Sequence, residues 1–300
     1  MKRIGSAVII GVALVGAVAY GTVHHDAALP PGIAIPGLPS SDRGSSEVTL
    51  GTAYLDGAGT DTTAVVGRGG TVRITAGYGV RYTGSAPGTP HVVLERSIGS
   101  GPWRRTAAAV RTERDEPLTA VTPAYTATGE RTVIRYRLVS GASVSRVLRV
   151  VYENPARYTG VAATVYRYAA PYCPSTAVHV ADLSGREAGD YRTGALLIRV
   201  DSSVGRTGEL RPIDQRALAL HECSHERQWL DYGATADGRK AMTAAAARIF
   251  AVPGGTIDPI EHAADCGAQA LNPGGYLGYG GVCTAAQLAA GRRLLLGGRY

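Results

Sequence analysis

"ALALHECSHERQWLDYG", residues 217–233, decides how the second half of this chain is read. Apolar residues flank it and no Pro or Gly interrupts it before Gly233, which predicts a single helix. On a helix, residues four apart lie one above the other, so His221 and His225 can direct both imidazoles at one ion. Two neutral imidazoles at this spacing suit Zn²⁺. Glu222, beside the first histidine and partly round the helix, is where a carboxylate can take a proton from metal-activated water without ligating the metal. A catalytic zinc usually takes three protein ligands and keeps the fourth position for water, so the stretch is incomplete by itself.

Two places could supply the missing ligand. Asp231 lies six residues after His225, the spacing at which metzincins place theirs, but that geometry needs the helix to turn back at a glycine three residues on. Gln228 stands there, so the helix is expected to continue to Tyr232 and carry Asp231 to another face. The second place is "TIDPIEHAADCGAQALN", residues 256–272. Asp258 suits an N-cap and Pro259 the first helical position, which sets Glu261 and Asp265 one turn apart on one face.

The pair His221-Glu222-x-x-His225-x-x-Gln228 and Glu261 with Ala264-Asp265-Cys266 resembles the gluzincin metallopeptidases, in particular the putative bacterial neutral zinc metallopeptidases. The likeness spans residues 221–266. It implies Glu261 as third ligand of Zn²⁺, Asp265 as the acid that orients a ligand histidine, and Glu222 as the catalytic general base and later proton donor. It also implies a peptide or protein substrate, held as an added strand along "GALLIRVD", residues 194–201. His262 is a lesser ligand candidate, because neighbouring helical residues diverge around the axis. His91 and His179 read as ordinary strand or loop histidines, and His24 and His25 as processing or linker residues. Tyr276 and Tyr279, on a Gly-rich loop, are open between stabilising an oxyanion and capping a core.

The four cysteines, Cys173, Cys223, Cys266 and Cys283, all fall in the second half. An even count outside the cytoplasm suggests two disulfides. Three connectivities exist, with free buried thiols as the alternative. Closeness in sequence favours Cys266 with Cys283, leaving Cys173 with Cys223. Cys223 lies on the helix side away from the two histidines, so it is expected to pack or bridge.

The chain opens with Met-Lys-Arg, then runs uncharged from Ile4 to Val23, with Ala17-Val18-Ala19 as a small-residue cleavage pattern. Residues 1–27 are therefore a signal peptide or an uncleaved membrane anchor, and the rest is extracytoplasmic, secreted or tethered. Residues 28–46, rich in Pro, Gly and Ser, read as a linker. From 47 to 155 the pattern has period two, as in "TVIRYRLV" (132–139), where Ile134, Tyr136 and Leu138 alternate with Arg135 and Arg137. Such strands predict an all-β sandwich, and the run "SIGSGPWRRTAAAV" (97–110) with Trp103, followed by "GERTVIRYRLV" (129–139), resembles the Ig-like modules of secreted bacterial proteins. Over 156–300 an α+β zincin-like domain is expected, with helices near 212–232, 238–251, 259–271 and 285–296. The net charge of +7 is almost all arginine, with Lys2 and Lys240 the only lysines. Its scatter among strands argues against a nucleic-acid partner and leaves cell-envelope contact open.

Two functions follow as expectations. One is an exported zinc metallopeptidase. The other is a secreted or surface-anchored Ig-like binding or scaffold protein whose zinc domain is structural or catalytically silent.

Overall fold

A computed structural model describes residues 45–55, 63–83, 91–111, 117–183, 188–192, 196–204, 210–233, 235–252, 255, 257–275 and 281–300. Residues 1–44, hence the targeting segment with His24 and His25 and nearly all of the linker, lie outside them, as do Tyr276 and Tyr279.

The first ten strands form two sheets. Strands β1 (Ser45–Leu55), β3 (Arg73–Thr83), β7 (Leu118–Val121) and β6 (Val110–Arg111) neighbour one another in that order. The second sheet runs β2 (Thr63–Val66), β10 (Leu148–Glu153), β8 (Arg131–Ser140), β4 (Val93–Ile98) and β5 (Arg104–Arg105), with β9 (Ser143–Val144) on β8. Period two explains their burial, since successive side chains point to opposite faces. In β8, Ile134, Tyr136 and Leu138 are fully buried, while Arg137 on the other face grips Glu95 of β4 at 2.8 Å. The buried hydroxyls of Tyr136 and Tyr152 meet at 3.1 Å, and Tyr152 donates to Thr122 at 3.2 Å, so neither is left dry.

The expected fold class, a separate all-β Ig-like half ahead of an α+β domain, is corrected by these contacts. The described chain is mixed α/β with three sheets and five helices, and residues 42–300 cluster as one compact unit. Its strand-rich segment is not a self-contained sandwich. Leu196, from the segment leading into the third sheet, completes its apolar cluster, and Gly67 donates its N–H to Ser175 O at 2.7 Å. A Cβ on Gly67 would stand 2.5 Å from Thr176 O, so main chain lies on main chain at that junction. Alternation in the sequence reports that one face of a strand is buried, not which elements close the core.

Beyond a single 3₁₀ turn come α1 (Gly160–Ala169), β11 (Ala177–Ala181), β12 (Gly189–Arg192) and β13 (Leu197–Asp201). The third sheet has the order β11-β13-β12, with β11 parallel and β12 antiparallel to β13. Four helical elements then carry the site: α2 (Pro212–Tyr232), α3 (Ala236–Phe250), α4 (Pro259–Leu271) and α5 (Ala285–Leu295). Val165, Val178, Ile198, Val200 and Ala219 bind α1 and α2 to the sheet.

Helix ends follow local chemistry. Pro opens α2 and α4, Asp258 accepts from Ile260 N at 2.8 Å, and a capping box of Thr284 and Gln287 starts α5. Gly233, at φ +87°, ends α2. Helices α4 and α5 meet through glycine: a Cβ on Gly291 would lie 2.5 Å from Gly267 N. Cys173–Cys223 joins the turn after α1 to α2, and Cys266–Cys283 staples α4 to the segment before α5, with Cα separations of 6.0 and 5.6 Å. Both are ordinary disulfide spans. They fit an oxidising, extracytoplasmic environment. Among the described residues no helix is long and apolar enough to cross a membrane.

Candidate metal centre

Helices α2 and α4 cross with three polar side chains aimed at one point. His225 Nε2 is 3.1 Å from His221 Nε2 and 3.1 Å from Glu261 Oε2, and His221 Nε2 is 3.2 Å from the same carboxylate oxygen. The flanking contacts decide what these atoms carry. Asp265, fully buried, faces His221 Nδ1 at 2.8 Å, and a carboxylate only accepts, so the proton sits on Nδ1. Gln228 Nε2 donates to Ile260 O at 2.9 Å, which turns Gln228 Oε1 toward His225 Nδ1 at 2.8 Å. That amide orientation places a proton on His225 Nδ1 as well.

Both Nε2 atoms therefore present lone pairs to each other and to a carboxylate oxygen. Three lone pairs about 3 Å apart repel unless a cation or a proton lies among them. Ligand bonds of ~2.0–2.1 Å in a tetrahedron space their ends by about 3.3–3.4 Å, close to the separations found. The donor set thus fits a metal ion, with His221, His225 and Glu261 as its holders.

Electrostatics point the same way. At His221 burial opposes a charged ring, but Asp265 and Glu261 outweigh it and raise the imidazole to about 10. Burial also pushes Glu261 upward, and the two imidazoles overcome it, holding the carboxyl well below its usual range. Glu222, only 4% exposed, is pushed up by its burial, an effect the two histidines moderate. Its carboxylate stands outside the converging set and lies under β12, where a Cβ on Gly189 would reach Glu222 Oε1 at 3.4 Å.

A cleft of about 280 Å³ opens over these residues. One wall is Gly189, Asp190 and Tyr191 of β12, and the other is Trp229, Met242 and Ile260 from three helices. The strand expected to border the site, residues 194–201, is corrected here. The strand it contains, β13, is the central strand of the third sheet, and the edge at the cleft is β12. "GDYR" is short and carries little alternation, so its sequence offered almost no strand signal.

The remaining candidates fall elsewhere. Asp231 stays on α2 and pairs with Arg227 at 3.3 Å. His179 bonds Glu153 at 2.7 Å, and His91 is exposed with its main-chain oxygen accepting from Ser140. His262 lies against Cys266 rather than in the His221–His225–Glu261 set. Gln228 was readable as a letter of the motif, but its hold on His225 depends on Ile260 O, which only the helix crossing reveals.

No family model matches the chain, and no curated protein matches it. Among solved structures, the NMR structure of the protein from Bacteroides thetaiotaomicron is similar at 9% identity, over 41% of this chain and 95% of that chain, with a TM-score of 0.22. A likeness at that score carries no argument about fold or function.

Proposed function

We propose that the chain is an exported zinc-dependent metallopeptidase of gluzincin type, acting on peptide or protein substrates. The observation that supports it best is the convergence of His221 Nε2, His225 Nε2 and Glu261 Oε2 with both histidine tautomers held by other side chains.

Zn²⁺, held by His221, His225 and Glu261, would supply the Lewis acidity that makes water nucleophilic at neutral pH. Asp265 and Gln228 keep each ligand imidazole in its Nδ1–H form, so neither ring needs to reorient during turnover. Glu222 accepts the proton of the attacking water and passes it to the departing amine nitrogen. Its upward-shifted carboxyl brings its proton affinity nearer the working pH, as a shuttle requires. The outer edge of β12, unpaired among the described residues and beside Glu222, offers main-chain partners to an extended substrate, and Trp229, Met242 and Ile260 line the opposite wall.

Glu222→Gln separates holding from chemistry. Metal quantification should find one ion per chain in both proteins, while chelator-sensitive peptide cleavage persists only in the wild type. Undiminished cleavage by the variant, or a metal-loaded wild type inert toward a broad peptide library, refutes the reading. The inert outcome would favour the binding or scaffold alternative.

A further inference from the structure

Next to Glu261, the imidazole of His262 belongs to a second cluster. It is fully buried, and among the described residues its Nδ1 has no hydrogen-bond partner and its Nε2 meets only Cys266 Sγ, at 3.7 Å. Sulfur is a weak partner, so this ring is nearly unsatisfied on both sides. The enclosure is tight. A Cβ on Gly281 would stand 2.3 Å from His262 Nδ1, and the Phe250 ring packs edge-on at 6.3 Å.

One ligand atom each from His262, Cys266 and Cys283 lies within 4.8 Å of the other two, with His262 and Cys266 fully buried and Cys283 partly so. Two sulfurs and an imidazole are the donors that thiophilic ions take, provided the sulfurs are thiolates. In the structure Cys266 and Cys283 are bonded to each other.

We propose that opening the Cys266–Cys283 disulfide turns this cluster into a second metal site, a His262–Cys266–Cys283 centre for Zn²⁺ or an ion of like thiophilicity. A dithiol reductant attacks one sulfur and resolves through its own second thiol. Two electrons pass to the protein, two cysteine thiols form and the reductant leaves as a cyclic disulfide. Ion entry then displaces the two thiol protons. Little must move. With bonds of ~2.3 Å to sulfur and ~2.0–2.1 Å to nitrogen, a tetrahedral site spaces the two by about 3.6 Å, near the 3.7 Å found between Cys266 and His262. These two residues lie one turn apart on α4, and only Cys283 has to shift. The Cys173–Cys223 pair has no comparable third donor among the described residues.

The test is a Co²⁺ titration of the full chain, oxidised or reduced with a dithiol that is then removed under argon. The readout is sulfur-to-cobalt charge-transfer absorption. The His221–His225–Glu261 set contains no sulfur and is silent in it, so failure of the peptidase reading is not confused with failure of this one. In the reduced wild type the band should saturate within two equivalents, one of them taken silently by the His221–His225–Glu261 set, and be absent from the oxidised protein. It should survive Cys173→Ser, vanish in Cys283→Ser, and need at least tenfold more Co²⁺ in His262→Ala. No band in the reduced wild type, a band unchanged by Cys283→Ser, or one lost with Cys173→Ser overturns the proposal. If His262→Ala does not fold, Cys283→Ser decides alone, since that residue lies outside the helices.

Discussion

Gln228 is 1% exposed and makes two hydrogen bonds with separable consequences, one to His225 Nδ1 and one to Ile260 O. Gln228→Leu removes both. Loss of the acceptor frees the His225 tautomer, and partners of this kind are typically worth 10–100-fold in metal affinity, or about 1.4–2.8 kcal/mol. Loss of the donor costs stability whether or not metal is bound. At about 1 kcal/mol per bond, the two together should lower the melting temperature of the metal-free protein by roughly 4–8 °C. Gln228→Glu keeps an acceptor for His225 and drops only the donor to Ile260. It should bind Zn²⁺ within about threefold of wild type in chelator competition while still melting lower. Wild-type affinity in Gln228→Leu, or equal metal loss in both variants, would refute the tautomer argument.

Two further predictions rest on packing and charge. Burial raises Glu226 from 4.5 to about 7, with Thr176 accepted as a hydrogen-bond donor. The folded state therefore holds the proton more tightly than the unfolded chain. The resulting stability is complete below pH 4.5 and is lost as pH rises through about 7, by about 3 kcal/mol at most. The advantage of Glu226→Gln over wild type in chemical denaturation should accordingly grow from pH 5 to pH 8, and a pH-independent difference would contradict it. Gly291→Ala drives a methyl into the Gly267 main chain and should cost about 1–3 kcal/mol. Because α4 must yield, Zn²⁺ affinity should fall with it, and calorimetry beside the same chelator titration checks both effects.

Much of the helical half was legible because its boundaries are written locally. The expected helices 212–232 and 259–271 coincide with α2 and α4, since Pro212, Asp258–Pro259 and Gly233 act within one turn of where they stand. The shared face of His221 and His225, and that of Glu261 and Asp265, was legible for the same reason, as four-residue spacing on a helix is a geometric statement, whereas the meeting of Glu261 with the two histidines came only from the resemblance to gluzincins. What lay between elements was not. Period two found β8 and β10 but said nothing of Leu196 entering their core or Gly67 lying on Thr176. Hence the separate sandwich was an over-reading. Strand β12 escaped because four residues with a Gly and one aromatic carry no pattern, and residues 194–201 took its place because an apolar run marks a buried central strand as readily as an edge.

The glycine contact between α4 and α5 also dictates when the site can exist. Glu261 depends on the seating of α4, and α4 rests on a helix whose critical residue, Gly291, is seventy positions beyond His221. A growing or translocating chain that has exposed both histidines and Glu261 still lacks the surface that holds them in register. Assembly of the His221–His225–Glu261 cluster is therefore a late event, completed only when α5 has been made and docked.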